Sequence, residues 1–193
     1  GYTLARAAGL MLTGYIFWFL ASLGVLRNEA GGMAFAWIVV IILSAVAWFR
    51  WSDRPSRSEL TSWLREHIPL IIFTEVLFLG AMIIWAFVQA HNPEITSTEK
   101  PMEMAFINGV RNSATFPPKD PWMVGYAISY YYFGYVITAS LADLSGVTTG
   151  MAFKLVNPLL FARTLTGVLG ITYNLVRASG QSRSWRIGSR HAA

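Results

Sequence analysis

The sequence predicts an all-α, polytopic integral membrane protein that crosses the bilayer about five times, and three observations carry that prediction. Of 193 residues, 54% are hydrophobic and only 13% are charged, about half the charged share of an ordinary soluble domain. The charges are clustered and fall between long apolar runs, the pattern a bilayer imposes because its core offers no water to polar groups. The aromatic load of 8 Trp, 8 Tyr and 12 Phe suits membrane interfaces as well as a packed core.

Five apolar stretches are long enough to cross roughly 30 Å of hydrocarbon: residues 8–26, 33–49, 68–90, 126–144 and 151–176. The second is the plainest, with an aliphatic run from Ile38 to Leu43 at its centre. The fifth is the weakest, because Asn157, Pro158 and Arg163 interrupt it. Residues 1–176 therefore read as one transmembrane helical domain, followed by a basic tail or cut loop at 177–193. Short turns at 27–32 and 145–150 join neighbouring helices. The connection 50–66 is arginine-rich and the connection 91–125 is the longest polar stretch. The chain opens on Gly1 with no signal peptide ahead of the first apolar run, as expected of a window of a longer protein.

The net charge is +5 and the isoelectric point near 9.7. The positive charge lies beside apolar segments, so anionic lipid headgroups are the expected partner and nucleic acid is not. With no cysteine, disulfides, thiolate metal sites and cysteine nucleophiles are excluded. The bias of Arg50, Arg54, Arg57 and Arg65 puts their loop on the cytoplasmic side of the cytoplasmic membrane and 91–125 outside. Five crossings then put the basic tail (Arg177, Arg183, Arg186, Arg190) outside as well, against the same rule. His67, His91 and His191 do not cluster and read as interface residues.

The loop 91–125 is where chemistry would sit. Thr98 is a good N-cap and Pro101 is tolerated in a first turn. Met102, Ala105, Phe106, Gly109 and Val110 follow at helical spacing, which predicts a short amphipathic surface helix. Glu99 and Glu103, four apart, share one of its faces. They either complement the helix dipole, or hold a divalent cation, or supply a general base. The proline-fixed turn 116–122 brings Lys119 and Asp120 to one place, and Tyr130, Tyr131 and Tyr132 follow, either as an interface belt or as the lining of a headgroup site. Two charges, Glu75 and Arg163, fall at membrane depth, where such groups usually pair; an ion pair between them is the expectation.

Three ordered segments carry a resemblance: TEKPMEMAF from Thr98 to Phe106, FPPKDPW from Phe116 to Trp122, and YYYFGY from Tyr130 to Tyr135. They resemble the TEKPMD-x-AF, FPPxDPW and YYYFG motifs of the bacterial and archaeal membrane family named for its YYY motif (the Chlor-Arch YYY domain). Glu103 stands where that family usually has Asp, Arg163 where an apolar residue is expected, and family members are several times longer. The family is in turn similar to the GT-C class of membrane glycosyltransferases, which take sugar from a lipid-phosphate donor, often with a divalent cation such as Mg or Mn. The resemblance implies Glu99 as base or metal ligand, with Glu103 second. It implies Lys100, Arg111 and Lys119 on the phosphate of a polyprenyl-phosphate sugar donor, with Asp120 and the three tyrosines binding substrate. The alternative is a non-catalytic accessory subunit of a larger membrane complex, which the small residues Gly9, Gly14, Ala21 and Gly24 along span one favour.

Overall fold

A computed structural model describes residues 2–50, 55–92, 94–96 and 99–188, with side chains as far as residue 179. The described residues form six helices: α1 (Tyr2–Ser22), α2 (Ala30–Arg50), α3 (Arg57–Ala90), α4 (Lys100–Asn112), α5 (Phe133–Ser145) and α6 (Thr149–Gly188). There are no strands among the described residues, only an isolated bridge between Lys119 and Ala127. The polytopic all-α class is therefore observed. Thr98, the expected cap of α4, lies outside the described residues.

Four helices are long and apolar enough to cross a bilayer: α1, α2, α3 and Thr149–Ser179 of α6. The expected crossing at 126–144 is corrected. Its first residues do not form a helix but fold back on the preceding turn, where Ile128 donates its N–H to the Pro118 carbonyl and Asp120 donates to that of Tyr126, both at 2.9 Å. Helix begins only at Phe133 and ends at Ser145, where Gly146 takes the left-handed φ of 69° that a side chain would resist. Thirteen residues rise about 20 Å, short of the ~30 Å hydrocarbon core. The segment at 151–176, by contrast, is one unbroken helix, with Pro158 buried inside it.

The helices run alternately. α3 begins with a capping box, Ser56 and Glu59 satisfying each other's backbone N–H. It packs antiparallel along α6, so Trp85 stacks on Phe161 near one end and His67 meets Arg177 near the other. α1 starts beside His67 and Gly170. It ends beneath α4, where Asn28 donates to the carbonyls of Val110 and Ser113 at 2.6 and 2.7 Å. Everything between α3 and α6 thus gathers at one end, the loop end. Arg50, Arg57, Arg65 and Arg177 lie toward the other. Arg177 therefore falls at the same end as Arg50, Arg57 and Arg65.

The packed core sits at the loop end and not at mid-membrane. Phe17, Phe106, Val110, Phe116, Ile128 and Val136 are all buried in one cluster, with Phe17 edge-on to Phe116. Every residue from Ile41 to Arg50 of α2 is exposed, as suits a face turned to lipid. Gly14 of α1 is a contact point with α5, since a Cβ there would come within 2.8 Å of Ile137.

The four-crossing arrangement is checked by labelling, which the absence of cysteine makes clean. Thr96→Cys and Ser145→Cys are expected to react with an impermeant maleimide from one face of the membrane, and Ser58→Cys from the other. Ser145→Cys labelling together with Ser58→Cys would mean that α5 crosses after all.

Candidate functional site

α4 is the amphipathic helix that the spacing predicts, but it is packed into the loop end more than laid on a surface. Phe106, Ile107, Gly109 and Val110 are buried, and Phe106 is ringed by Trp122, Tyr130 and Tyr135 at 5.5–5.9 Å. Burying one face fixes the other, and this aims the first turn of α4 toward α3 and α6.

There a cavity of about 220 Å³ opens between the end of α3, the start of α4 and the first turns of α6. Lys100 and Glu103 come from α4, Lys154 and Asn157 from α6, Gln89 and Asn92 from the end of α3, and Glu94 from the loop. Trp85, Val88, Ile95 and Phe153 form its apolar wall. Neither lysine and neither glutamate forms an ion pair within 4.0 Å among the described residues. Two cations, two anions and three amides are therefore presented uncommitted above an apolar wall at the membrane's edge, an arrangement suited to a ligand with a charged head and a greasy tail. Burial, aided by the negative charges of the Glu103 and Glu99 carboxylates, pushes the Tyr135 phenol up. It stays a neutral hydrogen-bond donor close to those carboxylates.

The other residues expected at a site fall elsewhere. Glu99 occupies the N-cap position of α4 without a side-chain cap bond, is exposed, and does not line the cavity. Arg111 is fully engaged. It bonds Asp143 of α5 through Nε at 2.8 Å and Nη2 at 2.7 Å, and reaches the Val147 carbonyl and Thr149 hydroxyl through Nη1. Asp120 accepts from the backbone N–H groups of Trp122 and Met123, closing the turn after the cis Phe116–Pro117 peptide. Lys119 is exposed, its N–H bound to Ser113 Oγ. Tyr132 accepts from the Trp18 indole at 2.9 Å, tying α1 to the entry of α5. Tyr130 and Tyr131 pack ring on ring at 4.7 Å, with Tyr131 83% exposed.

The Glu75–Arg163 pair is corrected. Glu75 bonds Arg6 Nη2 at 2.7 Å and the Tyr2 hydroxyl at 2.6 Å. Arg163 instead lies over the Phe78 ring at 5.0 Å, and its buried Nε has no partner. Opposite charge alone could not rank Arg6 and Arg163 as partners; the helix register does. Among the described residues no three His, Asp or Glu side chains gather in one group; Glu94 and Glu103 line the cavity and Glu99 does not.

A family model described as "Uncharacterized membrane protein (DUF2298)" matches residues 12–192, a stretch that takes in most of α1, all the later helices and the cavity. That match is consistent with a YYY-type membrane family. No curated protein and no solved structure matches the chain.

The engagement of Arg111 has a thermodynamic signature. The Arg111 and Asp143 side chains are 23% and 25% exposed, so breaking the pair from either side is expected to cost about 1–3 kcal/mol, less than a fully buried pair. Arg111→Leu and Asp143→Leu should each lower the melting midpoint in detergent, and the double variant should lose less than the sum. Strict additivity would show that the two side chains do not depend on each other.

Proposed function

The chain belongs to this family of membrane proteins, and on that premise we propose that it is a GT-C-like membrane glycosyltransferase, or the N-terminal part of one. It takes its sugar from a lipid-phosphate donor in the loop-end cavity. What carries the reading is the convergence of Lys100, Lys154 and Glu103 over the wall of Trp85, Val88 and Phe153. Within it, the two lysines neutralise the donor phosphate and the apolar wall takes the first units of the polyprenyl chain. Glu103, not Glu99, is the base. The acceptor hydroxyl gives its proton to the Glu103 carboxylate as its oxygen bonds the sugar's anomeric carbon. The bond from that carbon to the phosphate oxygen breaks, and the lipid phosphate leaves with its charge met by Lys100 and Lys154.

The arginine end lies on the cytoplasmic side of the cytoplasmic membrane in this reading, which sets the cavity outside. The accessory-subunit reading takes second place, because Gly14 and Ala21 on the small-residue stripe of α1 are committed within the chain. Gly14 abuts Ile137 and Ala21 is buried in the core.

The test uses the full-length protein in proteoliposomes with a radiolabelled polyprenyl-phosphate sugar. Glu103→Gln is expected to slow transfer by about 10²-fold or more without lowering the melting midpoint. Lys154→Ala should raise the donor KM, and Glu99→Gln should change little. Full transfer by Glu103→Gln, or loss confined to Glu99→Gln, would overturn the assignment.

A further inference from the structure

A second cavity, of about 170 Å³, lies at the arginine end between the start of α1, the first turns of α3 and the far part of α6. It has far more room than the ~10–15 Å³ a single water needs. Its polar side is built from His67, Asn174 and Arg177, its rim from Trp63 and Tyr173, and its inner wall from Leu70, Ile71 and Leu169. His67 is held in place, stacked on Trp63 at 4.5 Å with Nδ1 2.9 Å from the Trp63 carbonyl. A carbonyl only accepts, so Nδ1 carries the proton and Nε2 accepts from Arg177 Nη1 at 3.4 Å. No carboxylate lies within 4.0 Å of Arg177 among the described residues.

The charge balance continues inward. Tyr2 and Thr3 line this cavity and also the narrow pocket behind it, where Arg6 pairs with Glu75 and Arg163 lies over Phe78 without joining that carboxylate. Arg6, Arg163 and Arg177 thus outnumber the one acid, Glu75, along this path, and the surplus is positive. The rim pairs a tryptophan with a tyrosine, the side chains that settle at headgroup depth, and the inner wall is aliphatic.

From this arrangement we infer a binding site for the phosphate headgroup of an anionic lipid from the leaflet at the arginine end. The phosphate sits against Arg177 and Asn174 with the His67 ring beside it. The glycerol crosses the Trp63–Tyr173 rim, and the first methylenes run along Leu70, Ile71 and Leu169. A soluble phosphate would use the same cation but leave the aliphatic wall uncovered, and for that reason the lipid is the occupant. The site is separate from the loop-end cavity and does not depend on any sugar chemistry there.

The experiment reconstitutes the full-length protein in nanodiscs of phosphatidylcholine with or without phosphatidylglycerol, and counts retained phosphatidylglycerol by native mass spectrometry. Wild type is expected to keep one phosphatidylglycerol preferentially and to melt higher in its presence. Arg177→Ala should weaken that retention about fivefold or more, the worth of one basic side chain at a membrane surface, while Arg177→Lys keeps most of it. His67→Ala, which leaves every helix–helix hydrogen bond but its own, serves as the second variant and should also weaken retention. Undiminished phosphatidylglycerol binding in both alanine variants would overturn the site. Equal stabilisation by soluble glycerol phosphate would overturn the lipid as its occupant.

Discussion

The fold turns on a length constraint between His91 and Thr149. A chain that leaves the membrane at the end of α3 and re-enters at the start of α6 needs an even number of crossings in between. α5, the only helix in that stretch with the hydropathy to try, is too short to make even one. All the intervening residues must therefore be packed at a single end. They do so by burying Phe106, Phe116, Ile128 and Val136 together against Phe17 of α1, and by stitching α4 to the α5–α6 turn through Arg111. Backbone groups outside helices are costly to leave bare near hydrocarbon; in the ribbon at 118–128, Asp120 and Ile128 donate to the Tyr126 and Pro118 carbonyls, and Ser113 Oγ and the Asp120 carboxylate accept from Lys119, Trp122 and Met123.

That constraint also sorts the charges. At the loop end the cations Arg27, Lys100, Arg111, Lys119 and Lys154 are slightly outnumbered by the acids Glu29, Glu94, Glu99, Glu103, Asp120 and Asp143. At the opposite end arginine dominates. A protein so built has one chemically varied end of mixed charge and one positively charged end, the kind that an anionic leaflet attracts. The two cavities follow the same division: one is lined by charges of both signs, the other by a surplus of cations.

Much of this was legible in the sequence, and what was not has identifiable causes. The first three crossings and α4 were readable because long aliphatic runs and a 3.6-residue period are local properties. α3 extends back to Arg57, eleven residues before its apolar run, since hydropathy sees only the part in lipid; its capping box at Ser56 and Glu59 was the available signal. α5 was mistaken for a crossing because Tyr126–Tyr135 adds aromatic hydrophobicity without aliphatic length, and nothing local reveals that Ile128 is tied to Pro118. At the site, Lys100 and Glu103 stood inside a recognisable motif. Lys154, Asn157, Gln89 and Asn92 did not, because they join it only through the packing of α3 on α6. Tyr135 was on the page as the last residue of its motif, but only its burial near two carboxylates gives it a role.

The division of labour between arginine and lysine at the loop end points the same way as the cavity's shape. Arg111 uses a planar, five-donor guanidinium to join a carboxylate, a carbonyl and a hydroxyl on two elements at once, which a point charge could not do. Lys100 and Lys154 make no such commitments. A lysine ammonium is strongly hydrated and free to swing on four carbons, so holding two of them beside an apolar wall is unfavourable unless something anionic repeatedly arrives there. Glu103 and Glu94 relieve part of that repulsion without closing an ion pair, and thus keep both lysines available. A purely structural cap would have paired these charges as it paired Arg111 with Asp143. Leaving them open costs stability, and a bound lipid phosphate would restore it.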